Sequence, residues 1–218
     1  MTRHHGDASS KPSPQRFHRL LFRLSSRIPV QGFDARAFLS DLEERTQIAA
    51  KLAAALGLLE QHATTRLAAL RRDLPRLLIG PTHDLAQCIY GASMCLLRFE
   101  YVLDPRTTPT QLAMTLVHEG THARLLRAGF PYRERLRRRV ERLCVLAEII
   151  FASRLPDAEA EVQEAEKRLD LSDEYWSDLA QDRRAHNLLW QRGLLGKVGY
   201  CIVWPVVYLR ALRRRRAA

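Results

Sequence analysis

From Phe38 onward, apolar residues return at steps of three, four or seven: Phe38, Leu42, Ala49, Leu52, Leu56 and Leu59. With abundant alanine between them, that period predicts a long helical stretch capped by Asp34 and running to about Arg72, with Gly57 as a break point. Pro75, Gly80 and Pro81 mark loops. Between about Gln87 and Leu103 the residues change to Cys, Ile, Tyr, Met, Leu, Phe and Val, with Gly91 and Ser93 in the middle, which reads as a small hairpin or a pair of short strands. Thr108-Pro109-Thr110-Gln111 is a helix start: Thr108 as N-cap, Pro109 where no N–H is needed, and Gln111 completing a capping box. This helix should run to about Ala128 and end at Gly129. A second helix is expected from near Pro131 to just before Pro156, a third over Asp157–Leu169, and a fourth from a Ser172 cap to near Gly193. No internal repeat is present. The pattern is that of an α+β fold, predominantly α-helical, with a small β-sheet or hairpin.

Upstream, the polar stretch 1–15 reads as a disordered leader. In Arg16–Arg27, and on to Ile28, a helix would gather Phe17, Leu20, Leu21, Leu24 and Ile28 on one face and Arg19, Arg23 and Arg27 on the other. Residues 16–30 are therefore expected to form a basic amphipathic segment, residues 31–193 a metal-binding domain, and residues 194–218 an apolar segment with a basic tail. Val198–Leu209 is uncharged and mostly apolar but too short to span a bilayer, and Arg210 and Arg213–Arg216 follow it. A segment lying in the membrane interface and a helix packed on the domain are both compatible with that pattern.

Charge sharpens this picture. The formal net charge is +11 and the pI about 10.1, a balance that favours an anionic partner. An anionic membrane surface, met through Arg16–Arg27 and the C-terminal segment, is the stronger reading. Nucleic acid is the weaker one, because the run Arg133–Arg139 lacks aromatic interleaving. The four cysteines show no Cys-x-x-Cys spacing, and no cleavable signal peptide is visible. A cytoplasmic chain, peripheral at the inner face of the membrane, is expected.

The chemistry concentrates in His118-Glu119-Gly120-Thr121-His122. Residues four apart on a helix stand one above the other, so both imidazoles can reach one ion from a single face. Neutral imidazoles suit Zn2+, and Glu119 is placed to take a proton from a metal-bound water. Gly120 and Thr121 are small enough to let a neighbour approach closely. A catalytic zinc needs a third protein ligand, and no His-x-x-Gly-x-x-His follows, which excludes a three-histidine site of the metzincin kind. The next helix carries Glu134, Glu141 and Glu148 on one face. Eighteen residues, with a turn at Gly129-Phe130-Pro131, separate His122 from Glu141, so an antiparallel return brings Glu141 level with the histidines. Glu148 lies two turns further, roughly 10 Å by helical rise. It suits a supporting ion pair, with the role of alternative ligand left open. Glu134 is nearer the turn. Tyr132, His83, Tyr175 and His186 are candidates to stabilise an oxyanion, with Tyr132 preferred. Cys144 shares much of the Glu141 face and reads as a buried small hydrophobe.

Thr115–Ala123 followed by Glu141 resembles the gluzincin metallopeptidases, which carry His-Glu-x-x-His on one helix and a ligand Glu on the next. It is also similar to a group of small bacterial proteins with a Val-His-Glu-x-Thr-His-Ala helix. The resemblance covers about Pro109–Leu155. It implies a zincin-like fold, a zinc-dependent peptidase acting on a peptide or protein, His118, His122 and Glu141 as zinc ligands, and Glu119 as general base. It also suggests that Met94–Val102 supplies an edge strand for an extended peptide, a plain core strand being the equal alternative. Arg124 stands where gluzincins usually have an apolar residue, and Val145 occupies the position four after Glu141. The rival classes are a non-catalytic zinc-binding module and a membrane-associated basic protein without a metal.

Overall fold

The run Arg76-Leu-Leu-Ile-Gly80 forms strand β3, the centre of the sheet, and Leu77, Leu78 and Ile79 are all fully buried. A strand covered on both faces needs no alternation of polar and apolar residues. The computed structural model describes residues 14–38, 40–172, 174–177 and 180. Around β3 lie β1 (Ser26–Ile28), β2 (Asp34–Ala37), β4 (Ala86–Ile89) and β5 (Met94–Arg98), in the order β1-β2-β3-β5-β4. The three central strands β2, β3 and β5 are parallel, and β1 and β4 are antiparallel edges. Seven helices accompany this sheet among the described residues: α1 (Pro14–Leu24), α2 (Leu42–His62), α3 (Thr64–Asp73), α4 (Phe99–Leu103), α5 (Pro109–Arg127), α6 (Glu134–Ala152) and α7 (Glu159–Leu169). The fold is α+β.

The two faces of the sheet are covered unequally. Leu77, Ile79, Cys95 and Leu97 join the main core with Ile48, Leu52, Leu67, Leu112, Leu116 and Phe151 from α2, α3, α5 and α6. Leu78, Met94 and Leu96 point the other way and pack against Leu21 and Phe22 of α1. Helix α5 packs on α2, α3, α6 and β4, and α7 packs on α6.

Several expectations change. The helix expected over residues 16–28 ends at Leu24, and Arg27 and Ile28 lie in β1. Leu21 and Phe22 are buried against the sheet while Leu20 and Leu24 stay exposed, so residues 14–30 are part of the fold rather than a segment apart from it. Asp34 begins β2; the capping box of α2 is built by Asp41 and Glu44. Gly57 sits inside α2, and the break falls at Ala63. The strand read from Met94–Val102 is interior, paired on both sides, and passes into α4; the edge is β4. Of the expected leader, Pro14 and Gln15 already belong to α1. The remaining residues 1–13, nearly all of the fourth helix, His186 and the segment 194–218 lie outside the described residues. No helix among the described residues is long and apolar enough to cross a membrane.

Candidate metal centre

Helix α5 is fixed at both ends. The Thr108 hydroxyl accepts from the Gln111 N–H at 3.1 Å, and the Gln111 side chain accepts from the Thr108 N–H at 3.1 Å. At the other end Gly129, at φ +85°, lets its N–H reach Leu126 O and that of Phe130 reach Leu125 O. This pair of bonds is a Schellman ending, and it needs the left-handed residue that glycine supplies without strain. The chain then reverses into α6, whose buried positions include Glu141, Cys144 and Glu148.

Across the helix pair Glu141 comes near both imidazoles. His118, one turn back along α5, falls between Glu141 and Glu148. The Nε2 atoms of His118 and His122 are 3.1 Å apart. The Glu141 carboxylate lies 3.2 Å from His118 Nε2 and 3.6 Å from His122 Nε2. For a tetrahedral ion bound at 2.0–2.1 Å the distance between neighbouring donors is about 3.3 Å; the two nitrogens and the carboxylate, which meets His118 through Oε2 and His122 through Oε1, are spaced on that scale. His118, His122 and Cys144 also offer ligand atoms within 4.8 Å of one another, a group that can hold a metal ion.

On the far side of His118, Nδ1 is 2.6 Å from Glu148 Oε1. Glu148 in turn meets Arg168 of α7, its Oε2 accepting from Nη2 at 2.5 Å. The two carboxylates are thereby distinguished: Glu141 faces the Nε2 atoms, Glu148 the opposite ring nitrogen. Tyr132 donates its hydroxyl to Glu141 and lays its ring edge-on to His122, with centroids 5.2 Å apart. Its hydroxyl is committed to holding that carboxylate, a different task from the oxyanion donor expected of it.

Electrostatics follow from this packing. Burial disfavours charge on His118, but hydrogen bonds and attraction from Glu141 and Glu148 outweigh it and raise its pKa well above the usual value. Burial, joined by the neighbouring His118 charge, lowers His122 to about 4. Burial opposes charge on Glu141 too, yet its bonds and attraction to the imidazoles pull it down to about 2. Glu148 is lowered in the same way, against burial, by His118 and Arg168. Glu119, 6% exposed, is raised to about 7, chiefly by burial; the His118 charge opposes this, and Glu141, Asp84 and Glu148 add to it. The Cys144 thiol is pushed up by burial and the surrounding carboxylates. Metal binding would displace the His118 proton, since a ligand nitrogen must be neutral.

The remaining candidates fall elsewhere. His83 is partly exposed and pairs with Asp84 at 3.1 Å. Tyr175 packs edge-on against Trp176, and Glu134 is exposed and pairs with Arg137 at 3.3 Å. Sequence reasoning missed Arg168; its place in the last turn of a polar helix gives no hint of a buried partner twenty residues away. Against family models, curated proteins and solved structures, the chain has no match.

Proposed function

We propose that the chain is a zinc-dependent hydrolase, with a peptide or protein as substrate, built on a zincin-like arrangement of α5 and α6. The observation that carries this reading is the convergence of His118 Nε2, His122 Nε2 and the Glu141 carboxylate within 3.1–3.6 Å, with Glu148 on His118 Nδ1. Zinc held there supplies Lewis-acid polarisation of a carbonyl and acidifies water. Glu119, raised to about 7 by its burial, has a carboxylate suited to taking up and returning a proton near neutral pH. Glu148 holds the tautomer and tilt of His118, Arg168 keeps Glu148 charged, and Tyr132 steadies Glu141. The choice of peptide rests on the gluzincin resemblance; the antiparallel edge β4, which packs beside α5, is the strand that an extended chain could join. The test is Glu119→Gln: zinc content stays near that of the parent while hydrolysis of a peptide library falls by on the order of 10²–10⁴-fold. Unchanged hydrolysis in that variant removes Glu119 from the reaction.

A second reading draws on Cys144. With His118, His122 and Glu141 already converging, its sulfur would be a fourth protein donor and leave the ion no open position, as in structural zinc sites. Cobalt substitution separates the two. A sulfur-to-metal charge-transfer band that disappears in Cys144→Ala favours the closed site, and its absence in the parent favours the hydrolase.

The cellular setting that fits is cytoplasmic, at the inner face of an anionic membrane. Leu20 and Leu24 are exposed beside Arg23 and Arg27, and binding to anionic vesicles that weakens with salt is the corresponding measurement.

A further inference from the structure

Behind α5, on the side away from the histidines, a cleft of about 110 Å³ opens toward α3. Arg66 reaches it from α3 and Arg124 from α5, Thr65 lies at its rim, and Leu70 and Val117 form apolar walls. Gly120 also lines it, and a Cβ added there would lie 3.2 Å from Leu70 Cδ1. No aspartate or glutamate lines the cleft. Arg154, which bonds the carbonyl of His62 at the end of α2, adds a third positive charge nearby. We infer that this cleft binds a small oxyanion, carboxylate or phosphate, between Arg66 and Arg124.

The physical argument is one of missing countercharge. Burial and repulsion from Arg124 and Arg154 both disfavour the Arg66 cation, and among the described residues no carboxylate pairs with Arg66 or Arg124. Elsewhere in the same fold Arg168 pairs with Glu148, and Arg72 and Arg127 pair with Asp73, whereas Arg66 and Arg124 share a cleft with no acid in its lining. A planar guanidinium fork matches the two oxygens of a carboxylate or phosphate. The volume suits an oxyanion of a few heavy atoms, since one water takes about 30 Å³. The apolar walls of Leu70 and Val117 leave room for a short aliphatic stem.

The experiment is thermal unfolding of the full, zinc-loaded chain titrated with inorganic phosphate or with butyrate, against chloride at matched ionic strength. It compares the parent with Arg66→Gln, Arg66→Lys, Arg124→Gln and, as a control on the exposed face of α6, Arg135→Gln. The expected result is a saturable rise in Tm with one or both oxyanions, unchanged in Arg135→Gln. The half-saturation point should weaken by at least about tenfold in Arg66→Gln and Arg124→Gln, as for loss of one charge-assisted hydrogen bond. Arg66→Lys, which keeps charge but loses the fork, falls between. A response to butyrate alone assigns an organic carboxylate, and a response to phosphate alone assigns a phosphate ligand. Absence of a saturable rise with either, or a rise that survives Arg66→Gln, overturns the inference. The metal reading is untouched by either outcome.

Discussion

Toward α6, helix α5 turns its imidazoles into a group of carboxylates, where the positive charge on His118 meets Glu141 and Glu148, and Glu148 meets Arg168. Toward α3, the same helix turns Arg124 to the cleft where Arg66 also stands, and among the described residues no carboxylate pairs with them. Two residues of helix rotate a side chain by about 200°, which is enough to set His122 and Arg124 on opposite sides. The front is a network whose charges already balance, so a cation entering it must displace a proton. The back gathers like charge in a cleft whose described lining holds no acid, and on the proposal above an anion completes it. On the two proposals, one helix would serve a cation on one side and an anion on the other, separated by its own width.

The comparison can be broken most severely at the front. Glu141→Ala removes the carboxylate that faces both Nε2 atoms and should reduce bound zinc from near one per chain to near none, measured by elemental analysis of protein purified without added metal. Glu148→Ala removes only the partner on Nδ1. It should lower zinc affinity by roughly 10–100-fold while leaving the stoichiometry intact at saturation. If the two variants lose metal equally, the distinction drawn between the carboxylates is wrong.

On the back, Asp73 shows what a matched charge contributes. It is buried, with its carboxylate accepting from Arg72 Nε at 2.9 Å and lying 3.3 Å from Arg127 Nη1. Its folded-state pKa is lowered, chiefly by the Arg72 hydrogen bond. A depressed carboxylate contributes stability that is present above its unfolded pKa and lost as pH falls through the folded value. Asp73→Asn should therefore cost about 1–2 kcal/mol in urea unfolding at pH 7. The gap should narrow below about pH 4 and close once Asp73 is protonated. A gap that persists in acid would show that packing, not charge, is responsible. The smallest effect is expected of Gly120→Ala. Replacing a mid-helix glycine contributes about 1 kcal/mol. The 3.2 Å approach to Leu70 offsets most of this, but Leu70 borders the cleft and its methyl can swing into it. A net gain of a few tenths of a kcal/mol is expected, and a loss larger than 1 kcal/mol would mean that Leu70 cannot move.

What could be read from the letters alone was what is local. The capping box at Thr108, the end at Gly129 and the one-turn spacing of His118 and His122 depend on residues within five positions of one another, and the structure has those caps and that helix. Strands β1 to β3 were not legible. Two of them have three or four residues, Arg27, Arg36 and Arg76 interrupt their apolar pattern, and β3 is buried on both faces and so lacks alternation. Asp34 reads as the cap of α2 from the sequence alone, but it is Asp41 that has a glutamate three residues on, reaching back to its N–H. The separate roles of Glu141 and Glu148 depend on which ring nitrogen each one meets. Such a relation arises from the packing of two helices and leaves no mark in spacing. Arg168 is further still from any local signal.

The hinge between α5 and α6 has an implication for how this chain can change over time. The α6 side chains at the candidate centre lie at 141, 144 and 148, in steps of three and four. One residue inserted among 130–133 would bring Val140, Leu143 and Ala147 into their places, and one deleted would bring Arg142, Val145 and Ile149. Neither set can ligate an ion. Point changes at Phe130, Pro131 and Arg133 should thus disturb the candidate centre less than a change of length, while Tyr132 is held by its contact with Glu141. Among descendants of this sequence, the count of residues from His122 to Glu141 should outlast the identity of those residues.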